Sequence, residues 1–504
     1  MSGKPHYKHT PRGPVILNRY DAAGQGRRMA GWTPPSTGPN TDLDGVQIIR
    51  RRIVDALCNE WAAKSIVEKW VTTLIGVGIT ARFPGQPALT KLWLKHVAEC
   101  DADGVYDLFG LQTLATNVFI GLGESFTRVR YRRSNSGLAV PVQYQVMEPQ
   151  MLPMLDTDTW DGLREGHIIR SGIELDRQRQ RVAYWFHKNH PGDRATYAMG
   201  EIADLVRIPA EDVAHMYEPR RAGALRGVSD LATSLPHLRD TGDYADAVLT
   251  RQKLGNLFVA FITRATPNIG EDPFSGERIQ EAAEQFVASL EPGLVQELDP
   301  GQSVTFGNPP EPGTMYHEYM RTQYLGINAG AGMPYELGTG DIREVSDRTL
   351  RVIINEFRRR AEQRQWQVVI HQWCRRVANW FAEAAYVDGK ISEAEHEAAL
   401  NVEWAPHGWD YIHPVQDVQG QKLARDLGLV STPALITRRG DDPDKVITEQ
   451  VAYEKKLMDA RKAAGVPDPN MPLESKAGGD GNDIDEDGRD DDEYEPQKTV
   501  APVK

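Results

Sequence analysis

The sequence predicts a mainly helical α+β protein. Three observations predict it. Long stretches repeat apolar residues at three- and four-residue steps, one central region switches to a period of two, and residues Ser346 to Val387 form a helical pattern with no internal proline or glycine. At 504 residues the chain is too long for one core, so two or more domains are expected.

The first 40 residues are rich in glycine, proline and basic side chains, ending in Trp32-Thr-Pro-Pro-Ser-Thr-Gly-Pro-Asn40, and predict a flexible basic arm. From Thr41 the pattern turns helical through Val46, Ile49, Ile53, Leu57 and Trp61, and stays apolar from Ile66 to Ile79. Leu92 to Val97 and Leu111 to Ile120 predict two further helices. Near Glu124 the period changes. Phe126, Val129 and Tyr131, then Val140 to Val146, predict a β-hairpin across Ser134-Asn-Ser-Gly137, and Gly166 to Ile173 with Gln180 to His187 a second strand pair. Residues 41–227 thus make one α+β domain.

Ser229 and Asp230 offer an N-cap for a helix reaching Lys253. Residues 254–313 combine strand-like Leu257 to Ile262, a short helix from Glu277 to Leu290 and strand-like Ser303 to Phe306 between proline- and glycine-rich turns. They predict a small α/β module inserted between two helices. The second of these (314–332) carries Met315, Tyr319, Met320, Tyr324 and Ile327, and a break from Gly330 to Gly340 predicts a flexible loop. The following helix, 346–388, would span about 60 Å at its regular rise. Residues 414–464 read as a small helical cluster and 466–504 as a disordered acidic tail.

The net charge is −13, yet ten acidic residues against Arg489 alone lie between Asp480 and Pro496, leaving only −4 for the rest. A body so near neutrality excludes a protein that grips nucleic acid phosphates tightly as a single chain. Cys58, Cys100 and Cys374 are odd in number and far apart, which argues for free thiols in a reducing compartment. Mean hydropathy is −0.50 and no apolar run approaches the roughly 18 residues of a membrane span, so no membrane is expected. The N-terminus lacks the apolar stretch of an export signal.

Catalytic motifs are missing: no GxxxxGKS/T phosphate loop, no GxSxG, no HExxH. His371 and Cys374 on one helix read as packing, and neither a metal nor a cofactor is expected. Asp483-Ile-Asp485-Glu-Asp487-Gly488 matches the start of a calcium loop, but Tyr494 stands where a bidentate glutamate belongs, so the tail reads as solvated. From Arg343 to Arg364 seven arginines accompany four acids, giving either a surface beside a DNA path or an exposed helix face with intrahelical pairs such as Glu356–Arg360.

The segment Ala329-Gly-Ala-Gly-Met-Pro-Tyr-Glu-Leu337, followed by Asp341, Ser346 and a long Arg/Trp-rich helix, resembles the portal proteins of lambda-like tailed bacteriophages. So do Trp32-Thr-Pro-Pro-Ser, His215-Met-Tyr-Glu-Pro219, Arg226-Gly-Val-Ser-Asp230, Trp409-Asp-Tyr-Ile-His-Pro-Val-Gln-Asp-Val-Gln419, Leu427-Gly-Leu-Val-Ser431 and Arg439-Gly-Asp-Asp-Pro443. Order and spacing hold over about residues 30–465.

The resemblance implies a portal-like fold: an α/β wing (41–227), a two-helix stem (228–253 and 314–332), an inserted α/β clip (254–313), a tunnel loop (333–345), a long spine helix (346–388) and a helical crown (389–465). It implies a ring, typically dodecameric, at one capsid vertex of a virion assembled in host cytoplasm. Non-specific double-stranded DNA, the major capsid protein, the terminase large subunit and a head–tail adaptor would be its partners. Thr339, Asp341, Arg343, Glu344, Arg348 and Arg351 would face DNA, and Glu271, Asp272, Phe274, Arg278 and Glu281 would form the docking surface of the clip. Two other classes remain open on the residues: a nucleic-acid-processing enzyme with carboxylates such as Asp240, Asp243 and Asp246 around a metal, and a scaffold or adaptor without a channel.

Overall fold

The computed structural model describes residues 8–10, 13–15, 38–43, 45–193, 205–257, 261–264, 302–305, 316–343, 345–409 and 414–464. The chain divides into two units, residues 1–442 and residues 443–504. Within the arm expected to be flexible, β1 (Lys8–Thr10) pairs with β2 (Gly13–Val15). Proline and glycine around this turn favour such a reversal.

Helices open the first core. In α1 (Val46–Asn59) and α2 (Trp61–Ile75), Ile53, Ile66, Trp70, Leu74 and Ile75 are buried, as the three- and four-residue spacing demands. Strand β3 (Thr80–Arg82) and α3 (Pro87–Val97) follow. Then comes α4 (Leu108–Leu122), whose N-cap Asp107 accepts from Gly110 N and whose end is Gly123 at φ 93°.

The period-two region forms two sheets. Strand β4 (Glu124–Tyr131) pairs antiparallel with β5 (Val142–Met147), the hairpin expected from the sequence. The second region departs from expectation. Ser171 (φ 49°) and Gly172 (φ 79°) turn the chain tightly, so the predicted strand splits into β6 (Ile168–Arg170) and β7 (Ile173–Leu175). With β8 (Arg181–His187) and β9 (Leu205–Pro209) these make a four-stranded antiparallel meander. Strand β10 (Val213–Tyr217) returns to the first sheet on the far side of β4. A second core, with Phe126, Ile173, Tyr184, Phe186 and Ile208, fills the space between the sheets.

After a 3-10 turn at Asp230–Thr233, capped by the Ser229 hydroxyl, the chain runs along α5 (Leu235–Leu257). It passes through β11 (Phe261–Arg264) and β12 (Gln302–Thr305), which pair antiparallel, and returns along α6 (Tyr316–Gly330). The paired strands fall within the segment expected to form a module between the two helices. Its predicted inner helix, Glu277 to Leu290, lies outside the described residues. Tyr244 on α5 meets Tyr319 on α6 with ring centroids 4.9 Å apart.

The break after α6 is not a free loop. Short helix α7 (Tyr335–Thr339) occupies it, Ala331 and Met333 are buried, and Ser65 Oγ donates to Gly338 O at 2.7 Å. Such anchoring gives these backbone groups partners that a solvated loop would find only in water.

The long helix is continuous but not uniform: α8 (Asp347–Arg364), a π-helical stretch Gln365–Cys374 and α9 (Arg375–Val387). The wide turns coincide with three ties to other elements. Gln365 donates to Leu74 O (2.7 Å), Trp373 Nε1 to Thr127 Oγ1 (2.8 Å), and Gln372 accepts from Tyr217 N (2.9 Å). The expected intrahelical pair Glu356–Arg360 does not form. Glu356 pairs with Arg359 at 3.3 Å, while Arg360 reaches Glu218 at 2.6 Å.

Beyond it come α10 (Glu393–Leu400), held by a capping box of Ser392 and Glu395, and β13 (Glu403–Ala405). The resemblance implies a helical crown over 389–465, but that stretch also holds a strand: β13 pairs with β3, Trp404 opposite Ala81, and joins the first core. Helices α11 (Pro414–Asp426) and α12 (Thr432–Arg438) complete the first unit. The second unit contributes α13 (Pro443–Ala464).

Candidate functional site

Sequence motifs far apart in the chain meet at one junction. Its centre is Glu124, the first residue of β4, fully buried. One carboxylate oxygen accepts from Arg50 of α1 and Arg226 before α5, both at 2.7 Å, and the other from His215 Nε2 at 3.0 Å and Gly227 N at 2.9 Å. With Nε2–H committed to Glu124, His215 Nδ1 is left to accept, and Arg181 (3.3 Å) and Tyr184 (3.4 Å) face it. Burial pushes the Glu124 carboxyl up, but the Arg226 and Arg50 guanidiniums and the His215 hydrogen bond outweigh it and hold the group below the usual carboxylate range. Burial brings His215 down to about 4 against the pull of Glu124, and Arg50 down to about 10. The cluster is therefore one carboxylate, two guanidiniums and a neutral imidazole. Two buried cations share a single anion, and Arg50 Nη1 has no hydrogen-bond partner among the described residues.

Gly227 explains part of the Arg226-Gly-Val-Ser-Asp230 motif. A Cβ there would overlap the Gly123 carbonyl oxygen, so only glycine lets the chain cross β4 closely enough for Arg226 to reach Glu124. Next to this crossing a second, half-exposed network ties in the long helix. Glu218 accepts from Arg360 (2.6 Å) and Arg364 (3.0 Å), and Arg364 also pairs with Asp230, which Arg220 reaches at 3.3 Å. The Arg364 guanidinium lies 4.5 Å from the ring centre of Trp70, whose Nε1 donates to Ala331 O at 3.1 Å. A cavity of about 260 Å³ opens among Gly123, Glu218, Ser229, Asp230, Ala331 and Arg364. The motifs at 215–219, 226–230 and 329–337 and the C-terminal end of α8 thus converge here.

The residues expected to face DNA lie on the stretch that leaves this junction. Thr339 Oγ1 accepts from Asp341 N at 3.2 Å, and Tyr335 donates to Asp341 at 3.1 Å. Arg343 grips Asp341 with two prongs, Nε at 2.8 Å and Nη2 at 2.9 Å. That contact keeps the Asp341 carboxyl well below its ordinary range. Arg348 is exposed, and Arg351 pairs with Asp347 one turn away at 3.1 Å. The structure brings Thr339, Asp341 and Arg343 together, with each charge answered locally. Glu344 and the expected docking residues Glu271, Asp272, Phe274, Arg278 and Glu281 lie outside the described residues.

Asp240, Asp243 and Asp246 are exposed, and Asp243 pairs with Arg239 at 3.3 Å. Among the described residues no group of three metal-ligating side chains comes together. His371 is exposed while Cys374 is buried, so the two do not face a common site. The candidate calcium loop in the tail lies outside the described residues. No described helix is long and apolar enough to cross a membrane.

The sequence reading overlooked Glu124 and Arg50. Signals existed: Glu124 is the lone charge in the run Val118 to Phe126, and Arg50 falls on the apolar stripe between Val46 and Ile53. A charge at a core position needs a buried partner.

Comparison with known proteins gives one family. The model described as phage portal protein, lambda family, matches residues 25–365. A relative named "Probable portal protein" from Halomonas phage phiHAP-1 is 24% identical over 487 residues, covering 90% of this chain and 89% of its own. Among solved structures, the neck of a native GTA particle computed with C12 symmetry matches at 15% identity and TM-score 0.42, over 83% of this chain and 99% of that one. The neck of an empty GTA particle computed with C6 symmetry matches at 13% identity and TM-score 0.42, over 78% and 94%.

Proposed function

The chain belongs to the lambda family of phage portal proteins, and from that premise we propose that many copies, typically twelve, close into a ring at one capsid vertex through which double-stranded DNA is packaged and later leaves. A closed ring needs a heterologous interface, one face of each protomer meeting a different face of the next. In this reading 41–227 is the wing seated against the major capsid protein, and α5 and α6 are the stem. The insertion 254–313 is the clip that docks the terminase large subunit and a head–tail adaptor, 333–345 the tunnel loop, 346–388 the spine and 389–465 the crown. The chain serves as conduit and docking site, and the chemistry of pumping belongs to the terminase.

The observation that carries the reading beyond family membership is the pairing of charges on the loop. DNA sliding past a wall of free arginines would release counterions and gain affinity at every step, a brake on movement. Here Asp341 occupies Arg343, and Asp347 occupies Arg351. Such local pairing lowers the charge that the loop offers to phosphate, in keeping with a conduit.

Replacing Asp341, Arg343, Arg348 and Arg351 together by their neutral counterparts Asn and Gln should leave ring assembly intact in electron micrographs while changing the length of DNA packaged or retained. Normal packaging by such rings would remove the DNA-facing assignment, and a protein that stays monomeric in light scattering would remove the conduit itself.

A further inference from the structure

One face of β4 changes character along its length. Glu124, Phe126, Arg128 and Arg130 fall at two-residue steps and so share the face turned to the second sheet. Phe126 belongs to the core between the sheets. Beyond it, where the sheets part, Arg128 and Arg130 line a wedge of about 390 Å³. Its apolar wall includes Met147, Met151, Phe186 and Val206, and Lys188 adds a third cation at the rim.

Among the described residues the lining of the wedge carries three cations, Arg128, Arg130 and Lys188, against the one carboxylate of Glu148. Arg130 donates to the neutral Gln145 side chain, at 3.1 and 2.6 Å. The Arg128 guanidinium is held below its ordinary pKa, by burial first and by the charge of Arg130 second, with Asp212 opposing. The Glu148 carboxylate lines the same space, 3.3 Å from His190 Nε2 but without hydrogen-bond geometry, and sets one negative charge against the cations of the wedge. Two arginines side by side on one strand face repel each other, and a carboxylate placed between them would relieve that repulsion through charge-assisted bonds.

We propose that this wedge docks an acidic peptide segment of another protein, with an apolar side chain against Met147, Met151 and Phe186 and a neighbouring carboxylate between Arg128 and Arg130. Nucleic acid fits less well. A duplex backbone offers phosphates to the arginines but nothing to cover the thioether and aromatic walls, whereas alternating acidic and apolar side chains match both. Docking here is a property of one protomer and does not rest on ring closure.

The test is fluorescence anisotropy of the full chain with a labelled hexapeptide alternating leucine and aspartate. Arg128→Gln with Arg130→Gln should weaken binding about tenfold or more, since each arginine supplies a charge-assisted contact. Lys188→Glu, at an exposed position, should weaken it in the same direction. Peptides with asparagine for aspartate, or glycine for leucine, should bind worse. Equal binding by the wild-type and variant chains would overturn the proposal. So would a labelled 20-base-pair duplex that matches the peptide in affinity and is lost in the same variants, because the wedge would then be a general anion surface.

Discussion

Glu124 and Asp341 both hold arginine at about the same distance, yet they stand in opposite surroundings. Glu124 is sealed between helices and sheet and serves Arg50, Arg226 and His215 at once. Asp341, its side chain 16% exposed, lies on a loop at the surface, where its Arg343 partner is 78% exposed. In water an ion pair is screened and contributes little, whereas in the interior its disruption leaves charges without solvent. The same chemistry therefore fixes the frame in one place and only tunes surface charge in the other.

The sharpest way to break that contrast is Glu124→Gln. It would leave two guanidiniums buried against a neutral amide, at a cost of about 3–5 kcal/mol. A fall of that size in the unfolding free energy from urea titration is expected, and a loss below 1 kcal/mol would mean water reaches the cluster.

Acid should act on the same interior next. His215, brought down to about 4, and His96, brought down to about 3, have folded-state pKa values below the ordinary 6.5. Burial is the first cause in both. Between pH 6.5 and 4 the unfolded chain therefore binds protons that the folded chain refuses, and stability falls as pH falls. The slope approaches about 1.4 kcal/mol per pH unit for each histidine fully charged on unfolding. Glu124, held below the carboxylate range, adds a loss in the same direction at lower pH, as it becomes protonated. Stability curves measured from pH 7 to 4 should show the decline, and His96→Phe should flatten it. A flat curve in the wild-type chain would mean these imidazoles are hydrated.

The smallest effect belongs to the surface pair. Asp341→Asn should leave the urea midpoint unchanged, because solvent replaces what Arg343 loses. A midpoint shift comparable to that of Glu124→Gln would erase the distinction between the two sites.

Much of the secondary structure was legible because its cause is local. The helices at 46–75, the hairpin of β4 and β5 and the long helix after Ser346 all follow from apolar periodicity, caps and turn residues that act within a few positions. The split at Ser171 and the π-helical stretch were not, since one depends on a turn of two residues with positive φ and the other on ties to Leu74, Thr127 and Tyr217. For the candidate site, the order of motifs at 215–219, 226–230 and 329–337 could be read off, but not the reason for it. That reason is a carboxylate at 124 and a pair of helix arginines at 360 and 364.

By itself, then, the sequence determined the period of each element, the local caps and the family resemblance. Only the tertiary structure decided which charges are partners. Arg360 had an acid four residues before it and chose Glu218 instead, 142 residues distant in the chain. Periodicity says which side of a helix is buried. It does not say what lies opposite, and the strength of an ion pair depends on that neighbour and on how much water the packing leaves between them.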